Sequence, residues 1–227
     1  MNRQEVPLWI RRKTVRTVCL TASVLLILSA CSQTRSEQLT GDELAIYAQA
    51  RTAFIQGDAT LARTILAPLL ASNDQNIQTS ILAGRIDLLA GHMEPAIEHL
   101  EHALTLEPAS SDAAWWLARA LMLQNRYADA RSVVVEALVT AADDPRLVLT
   151  LADIEAQLGN TDRAIELYER ALSFSEQLAP AAIRLGEFYR RAGLNERARD
   201  AYERALVLLP ADSGLLRVIR DRMAGLP

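Results

Sequence analysis

The sequence predicts an all-α chain: a right-handed solenoid of five helix–turn–helix repeats closed by a C-terminal capping helix. Three observations carry that prediction. The pentapeptide YERAL occurs at Tyr168–Leu172 and again at Tyr202–Leu206, 34 residues apart. Sliding the chain against itself by 34 aligns five segments without an insertion or deletion: 43–76, 77–110, 111–144, 145–178 and 179–212. Half of the 227 residues are apolar, aromatics are scarce, and glycines fall mostly between apolar stretches, a composition of Ala/Leu/Arg/Glu helices rather than strands.

The elements follow in chain order. Residues 1–30 place a basic region before a short apolar run, Val18–Ala30. That run falls short of the roughly 20 residues a membrane-spanning helix needs, and it ends in small residues, the pattern of a secretory leader. Leu28-Ser29-Ala30-Cys31 resembles the lipobox of bacterial lipoproteins. The resemblance implies cleavage before Cys31 and diacylglycerol on its sulfur. It also implies an outer-membrane address facing the periplasm, because Ser32 stands where Asp marks retention in the inner membrane. The competing reading, an uncleaved anchor with an inert cysteine, fits a 13-residue run poorly. Residues 31–42 then form a polar tether, and eleven extended residues reach less than ~40 Å.

In the repeats, position 20 holds Ala62, Ala96, Ala130, Ala164 and Ala198, and position 8 holds Ala50, Gly84, Ala118, Ala152 and Gly186. Small residues there let two antiparallel helices approach closely. Position 15 holds Gly57, Gly91, Asn125, Gly159 and Gly193, where a helix ends in the left-handed conformation. Pro108 and Pro210, at position 32, follow the second helix of their units. In the first unit Pro68 falls inside the second helix and is expected to kink or shorten it. Residues 213–227 supply the cap, with Leu215, Ile219 and Met223 on one face.

The period and the residues of the last unit (Leu185-Gly186, Tyr189, Gly193, Ala198, Tyr202, Ala205, Pro210) resemble the tetratricopeptide repeat (TPR). The resemblance covers residues 43–212. It implies that positions 2, 5, 9, 12 and 13 of each first helix line a concave groove. Position 9 reads Arg51, Arg85 and Arg119, then Asp153 and Glu187; around the arginines stand Tyr47, Phe54, Ile81, Leu88, Trp115 and Met122. An apolar trough with recurring guanidinium groups suits an acidic, apolar peptide, by bidentate pairing and aromatic contact. Trp115 would look into the groove and Trp116 lie at its edge. The opposing expectation is that the arginines pair with acids on neighbouring repeats.

Charge excludes other partners. Residues 1–30 hold five of the 24 basic and one of the 28 acidic groups, leaving 19 and 27, a net −8. So acidic a body disfavours nucleic acid. There is no lysine after Lys13, so the lysine/asparagine clamp of chaperone-tail-binding TPR proteins is missing. Catalytic groups are sparse. Cys19 lies in the leader, and His92, His99 and His102 all fall in the second repeat. His99 and His102 share a helix face that could hold a metal, but their positions, 23 and 26, imply a solvated convex surface. The expectation is a non-enzymatic scaffold without metal or cofactor. It is anchored by lipid and binds protein in envelope assembly, with similarity to TPR lipoproteins of pilus and secretion machinery. The alternative is a solute-binding or enzyme-accessory lipoprotein with a small ligand in the groove.

Overall fold

The computed structural model describes residues 38–174 and 179–226. The leader, Cys31 and most of the tether lie outside the described residues. Eleven helices are described: α1 (Gly41–Ile55), α2 (Ala59–Ser72), α3 (Ile77–Ala90), α4 (Met93–Leu106), α5 (Ser111–Leu123), α6 (Tyr127–Thr140), α7 (Pro145–Gln157), α8 (Thr161–Phe174), α9 (Ala179–Arg191), α10 (Asn195–Leu208) and α11 (Leu215–Ala224). Each repeat contributes one odd-numbered and one even-numbered helix. Every helix packs on its sequence neighbours, the lone α11 on α10 included, and the first helices of successive repeats also meet across α1–α3, α3–α5 and α5–α7. The result is a TPR superhelix. Among the described residues no helix is long and apolar enough to cross a membrane.

Local chemistry starts the helices where the register requires. Thr40 and Glu43 form a reciprocal capping box, with the Thr40 N–H donating to Glu43 Oε2 at 2.7 Å. Asp58, Asn76 and Asp144 each accept from backbone N–H groups of the first turn, and Pro145 occupies the start of α7. Helix α2 runs 14 residues through Pro68, the same length as α4, α6, α8 and α10. The expected shortening does not occur. The position-15 residues all have positive φ, from 58° at Asn125 to 82° at Gly57 and Gly91.

The core is a seam of small residues under large ones. The five position-20 alanines are fully buried. In repeats 2 and 5 the position-24 side chain of the second helix lies over the glycine at position 8 of the first. A Cβ built on Gly84 would come 2.5 Å from Leu100 Cγ, and one on Gly186 2.6 Å from the Tyr202 ring. The cap is narrower than its sequence suggests: Ile219 is buried and Met223 half-buried, but Leu215 is 49% exposed.

Successive repeats are joined in two alternating ways. Position 21 of one repeat faces position 11 of the next as Arg63–Asp87 (3.5 Å) and Arg131–Glu155 (2.6 Å). At the other two junctions these positions hold Ile97 with Leu121, and Ile165 with Tyr189, all packed in the main core. Both carboxylates are almost fully buried, and each has a position-16 neighbour: His92 near Asp87, and Asn160, whose amide donates to Glu155 at 2.6 Å. The chemistry of the junctions thus repeats every two units.

Candidate functional site

The first helices α1, α3, α5 and α7 bring together the groove residues on which the arginine reading depends. Their side chains interleave into one column. The Arg85 guanidinium lies over the Phe54 ring and over Trp116, 4.8 Å from each centroid. Arg119 lies over Trp116 (5.1 Å) and Trp115 (4.7 Å), and Arg146 over Trp115 (5.5 Å). The two indoles meet edge to face at 4.6 Å. The order Phe54, Arg85, Trp116, Arg119, Trp115, Arg146 therefore runs across four repeats. The rings lie within cation–π range of the guanidinium groups, a contact made through the ring face that does not consume the N–H donors a carboxylate pairs with.

Charge around the column is unbalanced toward cations. Among the described residues Arg51, Arg85 and Arg119 form no ion pair with a carboxylate, and Arg85 Nε is buried without a hydrogen-bond partner. The expectation of pairing between neighbouring repeats is not met at these three positions. Burial, and after it the like charge of Arg184, push Arg119 below arginine's ordinary range. It stays protonated, and an arriving carboxylate would offset the Arg184 repulsion. Arg146 is by contrast held by Asp112 (3.0 Å) and Asp144 (3.2 Å). Trp115, Arg119, Met122, Arg146, Asp153 and Arg184 line an open cleft of ≈ 380 Å³ between α5, α7 and α9.

The sign reversal at position 9 has an internal cause. In repeats 4 and 5 position 24 is a tyrosine, and its hydroxyl donates to the position-9 carboxylate of its own repeat: Tyr168 to Asp153 at 2.8 Å, Tyr202 to Glu187 at 2.7 Å. Repeats 1–3 carry Leu66, Leu100 and Val134 there and have no hydroxyl to satisfy. Asp153 also pairs with Arg184, and Glu187 with Arg190 (3.0 Å) and Arg222 of the cap. Burial raises Asp153 above the usual carboxylate range. Burial acts the same way on Glu187, but hydrogen bonds from Tyr202 and Arg190 outweigh it and the net shift is downward. Tyr202 is pushed up to about 12, first by burial and then by that hydrogen bond.

Several residues stand elsewhere than the repeat pattern predicts. Ile81 is 2% exposed, in a small cluster with Ala103 and Ala113 against which Trp116 packs, so it is core and not groove lining. Arg51 is exposed and stands outside the stacked column. Tyr47 and Phe54 half-bury against the first core cluster, and Leu88 and Met122 against the main one. Trp116 is no edge residue but the centre of the column. Arg146 and Asp153 were legible, since they occupy groove positions 2 and 9 of repeat 4; Arg184, at position 6, was not.

The histidines are not simply solvated. His99 is half-buried with Nε2 3.5 Å from Asp87 Oδ2. Arg63 Nη1 donates to His92 Nδ1 at 2.8 Å, so that nitrogen carries no proton and its 3.4 Å approach to Asp87 is not an ion pair. His102 Nε2 donates to the Asp74 carbonyl at 2.8 Å. No group of three or more His, Cys, Asp or Glu is arranged to hold a metal among the described residues.

Comparison with known proteins agrees with the fold. Three tetratricopeptide repeat models match residues 87–154, 145–188 and 181–216. "Superkiller protein 3" of Schizosaccharomyces pombe is 25% identical over 130 residues, 54% of this chain but 9% of that much longer protein. Among solved structures, TTC0263, described as a thermophilic TPR protein of Thermus thermophilus, superposes with a TM-score of 0.66. It is 22% identical, with 81% of this chain and 98% of that one covered. PilW, described as a widely conserved type IV pilus biogenesis factor, superposes at 0.69 with 20% identity over 82% and 88%. At such identities the likeness speaks for the fold alone. With the 34-residue period, the helix pairs and the family models in agreement, the chain belongs to the tetratricopeptide repeat family.

Proposed function

We propose that the protein is a scaffold of cell-envelope assembly, held at the membrane by lipid on Cys31, which binds an acidic, apolar segment of a partner protein along the groove of repeats 1–4. The observation that carries this reading is the stacked column with unpaired Arg85 and Arg119, one of them with a buried orphan N–H. A cleft that is open rather than enclosed suits a chain segment better than a small solute. The likeness to PilW supports taking pilus or secretion machinery first among the complexes to examine. The reading assigns no catalytic step to this chain.

A photo-cross-linking residue at Met122 should capture the partner in membranes, and one at Val207, which is 85% exposed on α10, should not. Arg119→Glu combined with Arg85→Gln should reduce capture at least about a hundredfold, since each charge-assisted contact is worth about 1.5–3 kcal/mol. Binding should weaken as salt rises. Equal capture at both positions, or capture indifferent to the double substitution, would place the site elsewhere. Cys31→Ala should abolish the lipid mass increment on the mature N-terminal residue, and an unmodified Cys31 in the wild type would remove the membrane anchor from the reading.

A further inference from the structure

Position 13 of the first three repeats holds Ile55, Leu89 and Leu123, exposed by 71, 51 and 64%. In repeats 4 and 5 the same position holds Gln157 and Arg191. The change coincides with the change of sign at position 9. Each of α1, α3 and α5 therefore presents an arginine and, one helical turn later on the same face, an uncovered aliphatic side chain: Arg51 with Ile55, Arg85 with Leu89, Arg119 with Leu123. Residues four apart on a helix have Cβ atoms about 5–6 Å apart. Two parallel rows result, one cationic and one apolar, with a rung on each repeat. Arg85 and Arg119 both lie within about 5 Å of the Trp116 centroid, so their guanidinium groups are at most about 10 Å apart. That is the spacing of packed helices, 8–10 Å.

Resting on the groove reading above, we propose that the occupant of these rows is an amphipathic α-helix of a partner protein. It lies across α1, α3 and α5 with carboxylates at i, i+7 and i+14 and aliphatic residues at i+3, i+10 and i+17. The metric selects a helix. Neighbouring packed helices stand about 8–10 Å apart, seven helical residues advance about 10.5 Å, and residues three apart give the neighbouring row. In an extended strand, residues on one face are about 6.6 Å apart and residues about 10 Å apart point to opposite faces, so a strand meets successive rungs out of register. The charge of the occupant follows from the unpaired guanidinium groups, and its apolar row from the three exposed aliphatic side chains.

The test uses the full-length protein in detergent and labelled 22-residue peptides of identical composition, read by fluorescence anisotropy. One peptide carries Glu and Leu in the heptad spacing above; the other carries the same residues permuted so that neither row forms. The heptad peptide should bind at least about tenfold tighter. Leu89→Ser and Leu123→Ser should each weaken it about tenfold, while Val139→Ser, 80% exposed on α6, should not. All three side chains are exposed, so loss of fold does not confound the result, and circular dichroism verifies it. Equal binding of both peptides would overturn the helix and leave the groove reading standing. Sensitivity to Arg119→Glu without sensitivity at Leu89 and Leu123 would overturn the apolar row. Binding by neither peptide would overturn the inference, the groove reading then standing or falling on cross-linking at Met122. Leucine-dependent sedimentation of the Cys31→Ala protein with anionic vesicles would give the apolar row to a bilayer instead, overturning it also.

Discussion

Gly186 has no room for a methyl group, because the Tyr202 ring would lie 2.6 Å from a Cβ there. That ring is fixed at its far end by the hydroxyl's bond to Glu187. Gly186→Ala should therefore destabilise the protein by roughly 1–3 kcal/mol, measurable by urea unfolding; an unchanged midpoint would show that the ring shifts freely. His99 gives a second prediction at this scale. Burial first, against the attraction of Asp87, holds its imidazole below its usual 6.5. Its neighbours are Asp87, Glu98, Arg63 and His102, from α2, α3 and α4. A depressed value means the unfolded chain takes up the proton first. The contribution is complete above pH 6.5 and lost as pH falls through 6.5 toward the lower folded-state value. Between pH 7.5 and 5 the melting temperature of wild type should fall further than that of His99→Gln, and parallel curves would refute the linkage.

At the scale of helix pairs, the buried carboxylates of α3 and α7 depend on arginines from the preceding repeat. For Glu155, burial alone would raise its pKa, but the hydrogen bonds from Arg131 and Asn160 prevail and the group sits below its ordinary range. Arg131→Ile should cost about 1–3 kcal/mol, tempered by the water that reaches the half-exposed guanidinium. Adding Glu155→Leu reproduces the Ile97–Leu121 pair of the preceding junction, and replacement of a buried ion pair by packed aliphatic groups is often neutral or better. The double variant should recover the stability lost by the single one. Failure to recover would mean that the alternation of junctions is incidental.

For the whole molecule, the two-repeat alternation modifies what a modular solenoid tolerates. Removing residues 145–178 keeps the 34-residue helix register but sets Arg131 opposite Tyr189, an ionic half facing an apolar one. Such a protein should fold cooperatively with reduced stability, and Arg131→Ile should raise its melting temperature, the reverse of the effect in the full chain. Removing about 17 residues, half a unit, brings unlike helix faces together and should unfold the array. Circular dichroism melts of the three proteins decide; if Arg131→Ile lowers stability in both backgrounds, the junction account fails.

The period of the fold was legible because a solenoid uses each position for one job in every unit. Alanine at position 20 and glycine at position 15 meet the same neighbours in nearly every repeat, so local sequence suffices to set helix, turn and pairing. The groove was legible in part for the same reason: positions 9 and 12 returned Arg85, Arg119, Phe54 and Met122 as a set. Properties that depend on side chains from different repeats were decided only by the tertiary structure. Ile81 shares position 5 with Trp115 but is buried, because Trp116 packs against its cluster. The repeat pattern places position 6 at the groove's edge, but in repeat 3 it carries the indole between two guanidinium groups and in repeat 5 the Arg184 that crowds Arg119. His92 and His99 are drawn out of plain solvation by different partners, His92 by Arg63, which donates to its Nδ1, and His99 by the buried Asp87 carboxylate beside its Nε2. A repeat specifies its own backbone through short-range steric rules. Stacking and charge pairing are set by what stands within about 5 Å, and in this superhelix the ion pairs that join one repeat to the next link residues 24 to 35 apart in sequence.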